Sequence, residues 1–268
     1  MAYQWRSKSA LVIRAMAAVL TVTLLKLGAH WMGWEILSLN PLFSGIVAAN
    51  VFLMGFLLSG VINDFKESER LPGELAAILE TFSDEATALY ERSKNAVALE
   101  FSGYIEEMAK SIHDWLYKKE KTAHVMDRVS GLSRFLLACE PLTQANFIVR
   151  LKQEQHSLRR AIIRIHTIRE TSFISSGYLI AELTTIALAI GLILAKIDPF
   201  YESLFFAGVI VFLLTFLILL IRDLDNPFGH YQGNSTEDVS LKPLEDYISK
   251  MAARGRRPMA GESDGRAP

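Results

Sequence analysis

The stretch that decides the fold of this chain is residues 36–63, ILSLNPLFSGIVAANVFLMGFLLSGVIN. It contains no Asp, Glu, Lys or Arg, and it exceeds the ~20 apolar residues that a helix needs to cross the hydrocarbon layer of a bilayer. Residues 203–221 are also uncharged, and residues 171–195 carry only Glu182. Because hydrophobic residues make up 51% of the 268-residue chain, these stretches predict an integral membrane protein.

A fourth apolar stretch lies near the N-terminus, where charged residues flank an apolar core at residues 15–25. This core has the length of the hydrophobic part of a signal peptide, which is one interpretation. No small-x-small cleavage pattern follows it, so we favour one membrane helix over residues 10–32. We expect Lys26 to reach outward to the far interface of this helix, with Trp31 and Trp34 in the aromatic belt there.

Basic residues are distributed unevenly between the two ends of these helices. They precede helix one, crowd the approach to helix three and follow helix four, whereas Lys196 is the one basic residue between helices three and four. The positive-inside rule then places both termini and residues 64–170 in the cytoplasm, which predicts a multi-pass protein of the plasma (inner) membrane. A net charge of −1 indicates no nucleic-acid partner, so membrane lipid is the expected surrounding.

The segment after helix two has helical periodicity. One helical pattern follows Pro72, a second covers residues 104–121 and a third begins after Pro141. Nothing up to Thr171 breaks the third pattern, so the sequence allows that helix to continue directly into helix three. We found no period-two alternation of strand length. The sequence therefore predicts an all-α membrane protein with four transmembrane helices and a helical cytoplasmic domain between helices two and three.

The boundaries that follow from these patterns divide the chain into five segments. They are an N-terminal segment with helices one and two (1–63), the cytoplasmic helical domain (64–170), helices three and four (171–222), a cytoplasmic C-terminal segment (223–250) and a disordered tail (251–268).

The sequence offers no signature of an enzyme. The six histidines lack metal-ligand spacing, no glycine-rich loop follows a strand, and no serine or cysteine stands in a nucleophile motif. We therefore predict no catalytic residues, no metal site and no cofactor. The single cysteine, Cys139, cannot form an intrachain disulfide, and we interpret it as a buried structural thiol.

Helix two carries an unusual pattern, because Ala48, Phe52 and Phe56 repeat at four-residue spacing along one side. Small residues such as Gly45, Ala49, Gly55, Ser59 and Gly60 would let neighbouring membrane helices approach closely. The phenylalanines could face lipid or fill a helix bundle. Alternatively, rings of Phe from symmetric copies could form a narrow apolar pore that gates by dewetting. Periodicity alone leaves both possibilities open.

The run FLMGFLLSGVINDFKESERLP, residues 52–72, resembles the pore-helix segment of the bestrophin channels. In that family an F-x-x-G-F neck is followed by a polar stretch with an acidic residue before Leu-Pro. Residues 226–229, Asn-Pro-Phe-Gly, repeat the motif that ends the family's membrane region, and Trp5-Arg6 is similar to its entry motif. Four helices with an insert after the second also fit this family.

The resemblance implies a homopentameric ion channel in which helix two of each copy lines a central pore. Phe52 and Phe56 match the neck phenylalanines, and Ala48 stands where the family usually has a larger aliphatic residue. In calcium-gated members the Asn-Pro-Phe-Gly motif leads into acidic residues, whereas here residues 230–236 carry none. Because calcium needs six to eight oxygen ligands, we predict no calcium gating.

The ion that passes is less well determined by the sequence. Phe rings edge-on to the axis would tolerate an anion, and rings face-on would tolerate a cation. Four basic residues before helix three could concentrate anions at the cytoplasmic mouth or serve as ordinary positive-inside anchors. They are Arg159, Arg160, Arg164 and Arg169. We favour chloride or other small anions, with a cation-conducting bestrophin homologue and a non-conducting membrane scaffold or sensor as alternatives.

Three polar residues within the membrane helices are further candidates for the ion pathway. Glu182 in helix three is an expensive group in a bilayer, so it is either functional or hydrogen-bonded as a structural residue. Asn50 and Ser59 in helix two have the same two interpretations, since polar side chains also link neighbouring membrane helices.

Overall fold

The structure is a computed structural model that describes residues 2–38, 40–171, 175–229 and 238–255, with only the backbone described for residues 2–8, 175 and 255. The elements are α1 (Ala2–Trp31), β1 (Leu37–Ser38), α2 (Pro41–Ser93), α3 (Ala96–Leu116), α4 (Thr122–Cys139), α5 (Ala145–Glu170), α6 (Ser175–Leu194), β2 (Ala195–Lys196), α7 (Phe200–Leu224) and α8 (Lys242–Gly255). The chain divides into two compact units, one of residues 1–66 with 171–238 and the other of residues 67–170 with 239–268.

The first unit contains four helices that are long and apolar enough to cross a membrane, within Ser9–Trp31, Pro41–Ser93, Ser176–Leu194 and Phe200–Leu224. In the most apolar part of each helix only 17–22% of the residues are buried, so most of the apolar surface faces outward. A soluble protein would bury such surface, whereas lipid accepts it. The predicted all-α membrane fold with four transmembrane helices and a helical domain between helices two and three is confirmed.

One part of the core of the first unit is formed by one face of α2 against α6 and α7, and another part by α6 and α7 against Val19 and Val22 of α1. Met54, Leu57 and Val61 of α2 are at most 1% exposed, and they pack with Leu188 of α6 and Leu214 of α7. At one end of the unit a two-residue parallel pair joins β1 to β2, with Leu37 opposite Ala195 and Ser38 opposite Lys196. This pair fixes the loop after α1 to the end of α6.

The second unit contains the remainder of α2 with α3, α4, α5 and α8. Phe82 of α2 lies edge-on to Phe101 of α3 at 6.2 Å between ring centroids, and Phe101 stacks on Phe135 of α4 at 5.7 Å. Trp115 is 1% exposed, and its indole N–H donates to Thr122 Oγ1 at 2.9 Å. This unit therefore has an aromatic core like that of a soluble helical domain.

Helix α2 does not end where the sequence pattern suggested a new helix. It runs for 53 residues without interruption, and Pro72 lies inside it. An internal proline removes one backbone hydrogen bond, but buried apolar side chains on both sides of it, Leu71 and Leu75, hold the helix in place.

The helix before the third membrane span does not continue directly into it, although the sequence allowed that continuation. Helix α5 ends at Glu170, Thr171 is non-helical, and α6 begins at Ser175. The predicted disordered tail also begins too early, because α8 continues through Met251 to Gly255. Residues 256–268, and residues 230–237 after the Asn-Pro-Phe-Gly motif, lie outside the described part of the chain.

Candidate ion pathway

One face of α2 in the first unit remains exposed, and it contains the residues predicted to form a pore neck. Phe52 is 78% exposed and Phe56 is 57% exposed, and Ala48 and Ser59 are also exposed. The positions 45, 48, 52, 56, 59, 63 and 66 recur at helical spacing, so they share one side of the helix. We call these seven positions the α2 stripe. The opposite side of α2 makes the core with α6 and α7.

The chemistry of the α2 stripe differs from that of the outward face of α6. The exposed positions of α6 include Leu179, Leu183, Ile186 and Ile190, all large aliphatic residues that suit lipid. The α2 stripe instead combines Gly45, Ala48, two Phe, Ser59 and Asn63 before it reaches a charge at Lys66. Small and polar groups are typical of helix surfaces that meet other helices or water.

Asn50 does not lie on the α2 stripe. It is 3% exposed, and its amide N–H donates to Thr185 Oγ1 at 3.1 Å, while its carbonyl oxygen accepts from Thr184 Oγ1 at 2.7 Å. These bonds connect α2 to α6. Of the two sequence interpretations, the structure therefore places Asn50 as an interhelical hydrogen-bonding residue.

Glu182 is also engaged within the first unit, because its carboxylate forms an ion pair with the guanidinium of Arg222 in the last turn of α7. The two side chains border a small apolar recess together with Tyr178 and Ile218. Pairing offsets the cost of placing a carboxylate on a membrane helix. Neither Glu182 nor Arg222 belongs to the α2 stripe.

Two of the four arginines proposed to attract anions are committed to partners in the second unit. Arg164 makes a bidentate pair with Glu67, with Nε to Oε1 at 2.8 Å and Nη2 to Oε2 at 2.5 Å. Arg169 donates to the Trp115 carbonyl at 3.1 Å and lies over the indole ring at 5.0 Å.

The other two arginines of this group make weaker contacts. Arg159 donates to Ser130 Oγ at 3.2 Å and Arg160 donates to Ser157 Oγ at 3.3 Å, both in exposed positions. A single exposed bond of this kind holds a long side chain only loosely. Arg159 and Arg160 therefore keep more of their charge available to solvent than Arg164 and Arg169 do.

Lys26 occupies an environment that the sequence interpretation missed. Its side chain is fully buried rather than directed to the interface, and its ammonium donates to the carbonyls of Leu192 at 3.0 Å and Ala195 at 2.8 Å. It also lies 3.3 Å from Glu35 Oε1. The last carbonyls of α6 lack helical partners, so a buried ammonium satisfies them and neutralises the negative end of the helix.

Glu35 connects Lys26 to His30. Its other carboxylate oxygen, Oε2, lies 2.8 Å from His30 Nδ1, and the imidazole stacks on Phe200 at 3.8 Å between ring centroids. Burial by itself would raise the pKa of the Glu35 carboxyl, but the hydrogen bonds from His30 and Lys26 outweigh it and hold the pKa below its ordinary value. A lysine inside an apolar helix followed nine residues later by a glutamate is the sequence signal that could have revealed this cluster.

The Asn-Pro-Phe-Gly motif forms a buried turn after α7. Pro227, Phe228 and Gly229 are buried, and Phe228 is 0% exposed. Just before them, Asp225 Oδ1 accepts a hydrogen bond of 2.7 Å from the Tyr178 hydroxyl of α6. The motif therefore anchors the end of α7 within the first unit. No group of three or more His, Cys, Asp or Glu side chains suited to a metal occurs within residues 2–38, 40–171, 175–229 and 238–255.

Comparison with solved structures finds the same fold in three variants of a bacterial bestrophin homologue from Klebsiella pneumoniae. Their TM-scores are 0.73, 0.75 and 0.69, at identities of 15%, 15% and 17%. They cover 90%, 92% and 91% of this chain, and the matched regions span 99% of each of those chains. No family model matches the chain, and no curated protein matches it. The resemblance to bestrophins predicted from the sequence is thus confirmed at the level of the fold.

Proposed function

We propose that this protein is a homopentameric ion channel of the bestrophin type that conducts chloride or other small anions through an apolar neck formed by Phe52 and Phe56. The observation that carries the proposal is the α2 stripe, where two phenylalanines stand 78% and 57% exposed among small residues. The shared fold with bacterial bestrophin homologues supports the same reading.

Packing of several copies around an axis explains why this stripe is made of small residues and phenylalanine. Gly45, Ala48 and Ala49 are exposed and offer little surface to lipid, but they let adjacent helices approach closely. The benzyl groups would then converge on the axis, where their narrow apolar ring resists wetting until the helices move apart. A single chain cannot enclose such a path with one helix face, so the function requires several copies.

The orientation that we propose places both termini and the inserted domain in the cytoplasm and the four helices in the plasma (inner) membrane. The excess of Lys and Arg near the start of α1, before α6 and after α7 supports this arrangement. Trp31 is 92% exposed and Trp34 is 59% exposed near the other end of α1, which is suitable for the opposite aromatic belt.

The test is current through planar bilayers that contain the purified protein under a salt gradient. We expect currents whose reversal potential follows chloride, and a higher open probability in Phe52→Ala and Phe56→Ala, because a smaller side chain wets more easily. Phe205→Ala is the matched control, since Phe205 is 65% exposed on α7 and lies off the α2 stripe.

The outcomes separate this proposal from its competitors. A reversal potential that follows the cation would replace the anion channel by a cation channel. No current from the wild-type protein or from either neck variant would contradict channel function and leave a membrane scaffold as the better account. Equal effects of Phe205→Ala and the neck variants would remove Phe52 and Phe56 from the conduction path.

A further inference from the structure

We propose that Lys66 sets the charge preference of the channel by placing a ring of ammonium groups at the inner end of the α2 stripe. The inference rests on the proposed function, because it requires several copies of α2 around one axis. Lys66 would then determine which ions concentrate in the part of the pathway that leads to the neck.

The position of Lys66 follows from helical geometry. Phe52, Phe56, Ser59, Asn63 and Lys66 are separated by four, three, four and three residues, so their side chains share one side of α2. Lys66 is exposed, as are Ser59 and Asn63. At 1.5 Å of rise per residue, Lys66 lies about 15 Å along the helix from Phe56. The stripe thus changes from apolar to polar to charged over about three turns.

Lys66 is the one charged residue among the seven positions of the α2 stripe. Residues 41–66 contain two charged side chains, Asp64 and Lys66, and Asp64 is half-buried on another side of α2. The amine of Lys66 makes no hydrogen bond or ion pair with the residues that the structure describes. The next charged residues on this side of α2, Glu69 and Arg70, are exposed, lie about one turn beyond the stripe and carry opposite charges. Lys66 is therefore the charged residue nearest to Phe56 on the side of the stripe.

The acidic residue next to Lys66 in the chain is neutralised by a partner. Glu67 receives both guanidinium bonds of Arg164, at 2.8 and 2.5 Å. A bidentate pair of this kind fixes the carboxylate in place and cancels most of its field. Arg164 then favours anions indirectly, by preventing Glu67 from offsetting the charge of Lys66.

The electrostatic consequence depends on the neck being uncharged. Phenylalanine rings carry no net charge, so the fixed charges within about one Debye length of a point, ~8 Å at physiological salt, determine the ion concentration there. Like charges repeated around an axis add their potentials, raise the local concentration of the opposite ion and lower that of the like ion. Five ammonium groups would therefore concentrate chloride and exclude potassium in the part of the pathway around Lys66, through which ions approach the neck.

The experiment measures the chloride-to-potassium permeability ratio from reversal potentials under a potassium chloride gradient. We expect the ratio to fall from wild type to Lys66→Gln and by about tenfold or more from wild type to Lys66→Glu. Lys152→Glu is the matched control, because it changes the net charge equally at an exposed position of α5. Arg164→Ala should lower the ratio less, since it frees Glu67 without removing Lys66.

A cysteine variant provides a test within one folded channel. Cys139 is 0% exposed, so in Lys66→Cys the introduced thiol is the accessible one among the described residues. A positively charged methanethiosulfonate should raise the permeability ratio, and a negatively charged one should lower it. If Lys66→Glu fails to assemble, the change in permeability ratio on modification of Lys66→Cys still tests whether the charge at position 66 sets the ion preference.

Failure of the inference differs from failure of the channel proposal. Normal currents with the same permeability ratio in wild type, Lys66→Glu and both modified forms of Lys66→Cys would overturn the role of Lys66 while the channel stands. A wild-type preference for potassium would overturn it as well. Absence of current from wild type and from Phe52→Ala would overturn the channel itself and this inference with it.

Discussion

Lys26 places a positive charge inside the membrane-spanning unit, and three acceptors surround it. The ammonium reaches the Leu192 and Ala195 carbonyls and Glu35 within 2.8–3.3 Å. A buried charge is tolerable only when it is paired and hydrogen-bonded, because the low dielectric penalises an isolated ion by several kcal/mol. Lys26, Glu35 and the end of α6 therefore act as one cluster that depends on all its members.

Replacing Lys26 by methionine should destabilise the protein by about 3 kcal/mol, since the change leaves Glu35 and two carbonyls without their cation. Thermal unfolding in detergent micelles measures the effect. Lys196→Met is the control, because Lys196 is exposed near the same end of α6 and should change the stability little.

The double variant Lys26→Met with Glu35→Gln tests whether the two residues are coupled. It should recover part of the stability that Lys26→Met alone loses, because a carboxylate that has lost its lysine partner is the main penalty in the single variant. Strictly additive losses would show that the two side chains act independently.

The Glu35 cluster also predicts a pH dependence. The pKa of Glu35 lies below its ordinary value of 4.5, so the carboxylate contributes stability that is present above pH 4.5 and is lost as the pH falls through the folded-state pKa. We expect the unfolding temperature to drop in this acidic range, and to drop less in Glu35→Gln. An identical acid profile for the two proteins would contradict the role of Glu35.

Helix α8 is held to the second unit by buried contacts and by exposed ion pairs, and the buried contacts contribute more. Leu244 is 0% exposed, and Tyr247 is 5% exposed with its hydroxyl 2.5 Å from Ser83 Oγ and donating to the Leu79 carbonyl at 3.2 Å. Burial is the main cause that raises the pKa of Tyr247 to about 12. The neutral phenol therefore stabilises α8 fully below pH 10, and this contribution is lost as the pH rises through about 12.

The ion pairs of α8 are exposed and should matter less. Lys250 pairs with Glu80, and Arg254 lies 3.3 Å from Asp84, with the four side chains 43–60% exposed. We expect Leu244→Ala to destabilise the docking of α8 by about 2 kcal/mol or more, and Lys250→Ala by less than about 1 kcal/mol.

Protection of α8 amides in hydrogen exchange separates the two contributions. The result that would contradict this order is a larger loss of protection in Lys250→Ala than in Leu244→Ala. Docking of α8 would then depend on charge and would weaken with added salt.

The sequence predicted where the helices occur better than where they stop. Apolar length and the absence of charge identified the four membrane spans, because lipid imposes a strong and simple constraint on them. The sequence pattern predicts a helix that begins near Pro72, but packing of Leu71 and Leu75 outweighs the loss of one backbone hydrogen bond. Thr171, which ends the helix before α6, has no glycine or proline beside it to signal the break.

For the whole molecule, the proposal predicts an assembly of several chains. Light scattering in mild detergent should give a protein mass of five times the 30.0 kDa of one chain. Ser59→Cys should form disulfides between chains under mild oxidation, because Ser59 lies on the α2 stripe. Leu183→Cys, at a position 57% exposed on α6, should not form them if that face meets lipid. A monomer with no disulfide from Ser59→Cys would contradict the assembly.

The sequence predicts which residues of the candidate site share one side of α2, but not what that side faces. The spacing of Ala48, Phe52 and Phe56 correctly placed them on one side of α2, since periodicity is a local property. That this side is the exposed one, and that Asn50 faces α6 instead, depends on how the helices pack. The partners of Lys26 lie 166 and 169 residues away, beyond the reach of any local pattern.

The separation between Lys26 and its acceptors has a consequence for synthesis. At roughly 5–20 residues per second, translation reaches Leu192 about 8 to 33 seconds after Lys26 has been added to the chain. During that interval the nascent first span carries an ammonium that only Glu35 or water can satisfy. It should therefore wait beside the insertion machinery or lie shallow in the bilayer. Binding of the Lys26 ammonium by the last turn of α6 would then fix the first membrane helix at its final depth in the bilayer.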